Sequence, residues 1–260
     1  MMLNNIADYI NILSNFCGKR DIESLTKEEL YNKYNIDKAD VMVLFGGSII
    51  CGGDILAEAI KNNIAEKYII VGGAGHTTET LRNKMSNELP NIDLNNLKEA
   101  EIFNNYINTK YGLKADLLEL ESTNCGNNIT YLLKLLKENN IDFKSIIISQ
   151  DSTMQYRMEA ALRKYVPKDI LIINYAVYKV NVICKDNELV YDKDILGMWN
   201  INRYINFLMG EIYRLNDDAN GYGPNGKDFI VHIDIPDDVM NAFIELKKEF
   251  IIREANPLYS

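Results

Sequence analysis

The sequence predicts an α/β protein built on a doubly wound, mainly parallel five-stranded sheet. Three observations predict it. Five short runs rich in Val, Ile and Leu stand out, at 41–45, 68–71, 117–120, 145–149 and 170–174. Several are almost continuously apolar, as strands buried on both faces of a parallel sheet are. Between them lie segments with apolar residues at helical spacing, and strands alternating with helices imply right-handed βαβ units. The composition, 47% hydrophobic and 25% charged over 260 residues, is that of a folded globular chain and excludes a disordered or fibrous class.

Each element follows in order. Residues 1–35 read as two helices, with Thr26 and Glu29 forming a capping-box pattern (T-K-E-E) at the second. After the first strand, Ile55, Ala59, Ile60 and Ile64 share one helical face. Leu97, Ile102, Tyr106 and Ile107 belong to a longer helix before the third strand. Ile129, Leu132, Leu133 and Leu136 follow the third strand, and Met158, Ala161, Leu162 and Tyr165 follow the fourth. Beyond residue 185 the chain reads as hairpin-like or irregular, then as a helix near 199–213. A Gly/Asp-rich loop at 217–228, an apolar run at 229–235 and a helix after Pro236 complete it. The expected division is N-terminal helices at 1–35 packed on a core at 36–185, with 186–260 as an extension of the same domain.

The formal net charge is −9, and no Lys/Arg run is present. Duplex binding draws its affinity from basic patches that release counterions, so nucleic acid is not expected as a partner. The first residues lack a basic stretch followed by a continuous apolar one, so no signal peptide is read. No stretch approaches the ~18 apolar residues of a membrane span. Cys17, Cys51, Cys125 and Cys184 are scattered with no C-x-x-C pair, which fits a reduced, cytoplasmic setting.

In an open α/β sheet, ligands bind outside the carboxyl ends of the strands, where the strand order reverses. The residues there are polar, small or ionisable. They are Gly46-Gly47-Ser48 after the first strand and Gly72-Gly73-Ala74-Gly75-His76-Thr77-Thr78 after the second. Glu121-Ser122-Thr123-Asn124-Cys125-Gly126-Asn127-Asn128 follows the third, and Gln150-Asp151-Ser152-Thr153-Met154-Gln155-Tyr156-Arg157 the fourth. Glycines let a backbone approach a ligand, and amides at a helix start can hold an anion. The same residue types also make ordinary turns and caps, but four such loops in succession favour a small-molecule site. Neither G-x-G-x-x-G nor G-x-x-x-x-G-K-[ST] occurs in the first loop, so a standard dinucleotide site and a P-loop are not supported.

His76 and His232 are the only histidines, too few for a multi-histidine metal site. His76, in the glycine loop, is the acid/base candidate, with helix capping or ligand stacking as its alternative. Cys125 follows a good N-cap residue, Asn124; its thiol would feel the helix start, yet a packing role is favoured. Glu99, Glu121 and Asp151 are carboxylates at or near strand ends, able to bind hydroxyl or amino groups or to cap helices. The acidic loop 217–228 fails the EF-hand pattern, since Tyr222 stands where glycine is required.

The segments VGGAGHTTETL (71–81), ESTNCGNN (121–128), SQDSTMQYR (149–157) and the long stretch 197–236 together resemble the bacterial YdcF-like family. This is a branch of a broad domain-of-unknown-function family that also includes SanA and ElyC. The resemblance covers nearly the whole chain. It implies a Rossmann-like core with a helical C-terminal extension and a nucleotide-like ligand at the strand ends, with S-adenosylmethionine as the suggested cofactor. The family's Glu-Ala pair is here Glu99-Ala100, its Glu-led turn runs from Glu121 to Asn128, and its strand-end arginine is Arg157. Two ionisable positions of the broad family are replaced by Asn127 and Met154.

Three functions are carried forward. The first is a small-ligand-binding protein for S-adenosylmethionine or a related adenosyl or nucleotide compound, its reaction unassigned. Gly46, Gly47, Gly73 and Gly75 would give close backbone approach, and Ser48, Thr77, Ser122 and Asn124 hydrogen bonds. Glu99, Glu121 and Asp151 would take hydroxyl or amino groups and Arg157 an anion, with His76, Asn128 and Gln150 completing the set. The second is a hydrolase or transferase acting on a phosphorylated or cell-envelope precursor, with His76, Glu99 and Asp151 as acid/base candidates. The third is a non-catalytic sensor or interaction protein. In it Trp199, Tyr204, Phe207 and Tyr213 would form an interface, in a homo-oligomer for example, although such stripes are more often core.

Overall fold

A computed structural model describes residues 2–75 and 77–250. The five apolar runs become five parallel strands, β1 (Ala39–Phe45), β2 (Ala65–Val71), β3 (Leu117–Glu119), β4 (Ser145–Ser149) and β5 (Leu171–Asn174), in the order β3-β2-β1-β4-β5. The chain steps outward from β1 to β3, then crosses back to place β4 on the other side of β1. That reversal is the switch point of a doubly wound sheet. Phe45 pairs with Val71 and Leu44 with Ser149, so the carboxyl ends of the three central strands lie level. Residues 41–45 and 145–149 are buried throughout, which is why these strands read as continuous apolar runs rather than alternating ones.

Four strand boundaries differ from the expected runs, β1 and β5 by one or two residues at their starts, and those of β2 and β3 for physical reasons. β2 begins at Ala65, because Glu66 and Lys67 can stay exposed while their backbones join the ladder. β3 ends at Glu119, whose carboxylate turns back to accept the amides of Glu121 (2.6 Å) and Ser122 (2.9 Å); residues past it form a turn instead of a strand.

At the amino end, α1 (Leu3–Cys17) and α2 (Lys27–Tyr34) form as expected. Thr26 accepts the Glu29 amide at 3.2 Å, but the Glu29 carboxylate takes the Glu23 amide instead of returning to Thr26, so the capping box is half closed. Next come α3 (Cys51–Asn62), α4 (Thr78–Met85), α5 (Glu99–Tyr111), α6 (Cys125–Glu138) and α7 (Gln155–Tyr165). The short helix α4 escapes the sequence reading because it buries only Thr78, Leu81 and Met85, too few to set a period.

The expected boundary at residue 185 falls inside a hairpin of β6 (Val182–Lys185) and β7 (Glu188–Tyr191). Asp186 and Asn187 both take positive φ (52° and 63°), the two-residue turn that matches strand twist. Then follow α8 (Ile201–Leu215) and α9 (Asp237–Leu246). The run at 229–235 forms no strand; one bond, from the Val231 amide to the Ala160 carbonyl, ties it to α7. Trp199 and Tyr204 belong to the core, while Tyr213 is exposed, so the four aromatics do not share an outer face. The N-terminal helices and the extension are not separate appendages, for α1 packs against β6, α8 and α9. Asn11 on α1 pairs with both the amide and the carbonyl of Val182 (2.7 and 2.8 Å), so a side-chain amide stands in for a neighbouring strand.

Candidate functional site

The site begins with glycines that admit a carboxylate. Gly46 and Gly72 lie at the ends of β1 and β2. A Cβ at Gly46 would stand 2.6 Å from Glu99 Oε2, and one at Gly72 would stand 3.0 Å from Glu99 Cβ. Glu99, the first residue of α5, fills the space both leave. Its amide donates to the Gly73 carbonyl (2.9 Å), and its side chain is buried. Oε1 accepts the hydroxyls of Thr78 (2.8 Å) and Thr77 (3.3 Å), whereas Oε2 receives no hydrogen bond from the described residues. Burial raises the pKa of Glu99 above the ordinary glutamate value; the two threonine hydroxyls and the Arg82 charge oppose that rise.

The β4 end closes on the same loop. Gln150 donates to the Gly46 carbonyl (3.0 Å) and accepts the Asp151 amide (2.7 Å). Asp151 is buried and well satisfied. Oδ1 accepts from the Tyr178 hydroxyl (2.7 Å) and from the amide and hydroxyl of Thr153 (both 3.0 Å), and Oδ2 accepts the Trp199 indole N–H (2.7 Å). In this arrangement its task is to fasten the extension over the strand ends. Lys84, on α4, reaches the same place. Its ammonium donates to the carbonyls of Ser48 (3.1 Å) and Gly197 and lies 4.4 Å from the centre of the Trp199 ring.

The third loop serves the second. A Cβ at Gly73 would come within 2.2 Å of the Ser122 carbonyl oxygen, and one at Gly75 within 2.9 Å of that of Thr123. Gly73 also donates its amide to Ser122 Oγ (3.1 Å). These two glycines and Ser122 therefore hold loop against loop, a correction to their expected contact with a ligand. Asn124 caps α6 reciprocally with Asn127 (3.0 and 2.9 Å), and Asn128 lies in the first turn of that helix. Glu121 is exposed; the buried carboxylate of this strand end is Glu119, whose Oε2 has no partner among the described residues. Arg157 is buried against Glu211 of α8, with Nε to Oε2 at 2.5 Å and Nη2 to Oε1 at 3.0 Å. Its charge is already answered, which corrects its expected role toward an anionic ligand. His76 lies outside the described residues. In the loop 217–228, Asp217 accepts the Asn225 amide (2.6 Å) and bonds His232 Nδ1 (2.6 Å), so this carboxylate clasps its own surroundings.

The structure thus gathers Gly46, Gly47, Ser48, Thr77, Thr78, Glu99, Gln150 and Asp151 about the ends of β1, β2 and β4, and adds Lys84 and Trp199, which sequence reasoning did not place there. Lys84 was hidden because α4 was not recognised as a helix. Between Gly47, Ile49, Phe103, Gln150 and Asp151 there is room for about one water. S-adenosylmethionine, like other drug-sized ligands, needs a pocket of roughly 300–1,000 Å³. The spaces beside Gly46, Gly72, Gly73 and Gly75 are filled by protein atoms, and a Cβ at Gly47 would meet Gln150 Oε1 at an ordinary contact distance of 3.5 Å. The cofactor therefore does not fit this closed arrangement. Among the described residues, no group of three or more His, Cys, Asp or Glu side chains is placed to hold a metal ion, and no helix is long and apolar enough to cross a membrane. No protein-family model matches this sequence.

Proposed function

We propose that this protein binds a small polar ligand at the carboxyl ends of β1, β2 and β4, with Glu99 accepting a hydroxyl or amino group of that ligand. One observation carries the reading. Glu99 is a buried carboxylate at the strand ends, with one oxygen held by two threonine hydroxyls and the other without a donor among the described residues. Buried carboxylates ordinarily have hydrogen-bond partners on both oxygens. A ligand donor at Oε2 would complete the shell. The class to test first is the adenosyl or nucleotide compound that the resemblance to the YdcF-like family implies. A ligand of that size requires displacement of the segment 196–199, which covers the strand ends through Trp199 and the carbonyl of Gly197. A cytoplasmic setting belongs to the same proposal and is supported by four cysteines of which none is disulfide-bonded.

The test is isothermal titration of the wild type and of Glu99→Gln with S-adenosylmethionine, S-adenosylhomocysteine, ATP and NAD. Micromolar binding of the adenosyl compounds is expected. A hydrogen bond to a charged group is worth ~1.5–3 kcal/mol, so Glu99→Gln should weaken binding about ten- to a hundredfold. Binding that is equal in the two proteins refutes the role of Glu99, and no heat with any compound refutes the ligand class.

A further inference from the structure

Several of the buried or half-buried cations are matched by carboxylates. Arg157 is paired with Glu211, Lys19 with Glu159 and Lys110 with Asp54. Lys84 differs. It is half-buried, and no carboxylate among the described residues lies within ion-pair distance of its ammonium. Its partners are two neutral carbonyl oxygens, Ser48 and Gly197, and the face of Trp199. Burial pulls its pKa below the ordinary lysine value; the more distant Asp151 charge opposes that and the Arg203 charge adds to it.

The loop that Lys84 touches is rich in unanswered donors. The amides of Gly47, Ser48, Ile49 and Ile50 donate to no acceptor among the described residues. They lead directly into the 12-residue helix α3, whose amino end favours negative charge. Ser48 is 1% exposed, and its hydroxyl is buried with no partner among the described residues. Two residues upstream, the Cβ position of Gly46 faces Glu99 Oε2. Among the described residues, one short loop therefore has beside it a carboxylate oxygen without a donor at one end and, at the other, an ammonium without an anion together with a buried hydroxyl.

Resting on the ligand site read above, we propose that Lys84 is its anion-binding residue, and that the ligand carries an oxyanion, carboxylate or phosphate, near the group held by Glu99. The loop amides and the Ser48 hydroxyl supply further donors to that oxyanion. A charge-assisted hydrogen bond is about twice as strong as a neutral one, so an arriving anion displaces the Gly197 carbonyl from Lys84. That exchange also frees the residue 197 carbonyl and changes the surroundings of the Trp199 ring, which Lys84 touches.

Trp199 is the single tryptophan of the chain and lies against Lys84, so its fluorescence reports the site directly. The probes are S-adenosylmethionine, which bears a carboxylate, methylthioadenosine, which shares the nucleoside but has no anion, and inorganic pyrophosphate. Wild type is expected to bind S-adenosylmethionine or pyrophosphate with a change in Trp199 emission, and methylthioadenosine at least tenfold more weakly than S-adenosylmethionine. The preferred anion identifies the group as carboxylate or phosphate. Lys84→Gln should lose at least tenfold in affinity for the anion and leave methylthioadenosine unchanged, while Lys84→Arg should retain anion binding. Should Lys84→Gln not fold, Lys84→Arg and the wild-type comparison of the three probes decide alone. Adenosyl binding that is indifferent to Lys84 and to the carboxylate overturns this inference and spares the ligand site. Lys84-dependent binding of pyrophosphate without adenosyl binding supports the inference and removes the adenosyl class. Silence from all three probes overturns both.

Discussion

Removing the Glu211 carboxylate tests whether Arg157 is a structural cation or a ligand-binding one. The pair is bidentate, at 2.5 and 3.0 Å, with the two side chains 10% and 5% exposed, and Arg214 approaches the same carboxylate at 3.5 Å. Glu211→Leu leaves Arg157 buried and uncompensated beside a second guanidinium. Breaking a buried pair from one side costs about 3–5 kcal/mol. In a chain of this size each kcal/mol moves Tm by about 2 °C, so a fall of about 6–10 °C is expected. The double variant Arg157→Met/Glu211→Leu removes both charges together and should recover most of that loss, since an apolar replacement of a buried pair is often neutral or stabilising. Urea and thermal melts of the three proteins at neutral pH measure this. Glu211→Leu within 1 kcal/mol of wild type would refute the reasoning. So would an Arg157→Met variant that keeps its stability and loses ligand, for then the guanidinium faces the ligand as the sequence suggested.

Two further outcomes follow from the site. Burial holds the folded-state pKa of Glu99 above its unfolded value, so the folded chain binds the proton more tightly; stability therefore falls as pH rises from the ordinary glutamate range through the folded pKa, and stays lowered above it. Glu99→Gln removes that dependence, so its Tm relative to wild type should climb as pH rises from the ordinary glutamate range; a difference that is flat with pH, or that shrinks, contradicts it. Gly73→Ala would place a methyl 2.2 Å from the Ser122 carbonyl oxygen and 2.7 Å from that of Leu120, both backbone atoms that cannot rotate away, and overpacking of this kind costs about 1–3 kcal/mol. Urea midpoints equal to wild type would show that the two loops part easily.

The sheet was legible because buried parallel strands write themselves as apolar runs, and β4 matches its predicted bounds residue for residue. The carboxyl-end loops were legible as a set, since a strand order that reverses must leave its polar turns on one edge. Individual roles inside that set were not. A glycine beside a ligand and a glycine beside a carbonyl look alike in sequence, and only the Cβ positions distinguish Gly47, where a methyl would meet Gln150 at an ordinary contact distance, from Gly73, where it would collide with the backbone. Arg157 and Glu211 lie 54 positions apart, on helices whose mutual packing no local pattern encodes. Lys84 and Trp199 were invisible for the same reason, as their meeting depends on how the extension crosses the strand ends.

The pairing of α1 with the extension has a consequence for biosynthesis. The apolar face of α1, Ile6, Ile10, Leu13 and Cys17, leaves the ribosome long before β6, α8 and α9, its later partners. At ~5–20 residues per second, some 165 to 230 residues of synthesis separate them, roughly ten to forty seconds. Through that interval the nascent helix carries a bare hydrophobic stripe while the sheet beside it is still being made. A chaperone that shields short amphipathic helices would find its substrate there, and a slowed or interrupted translation of the extension would lengthen the exposure in direct proportion.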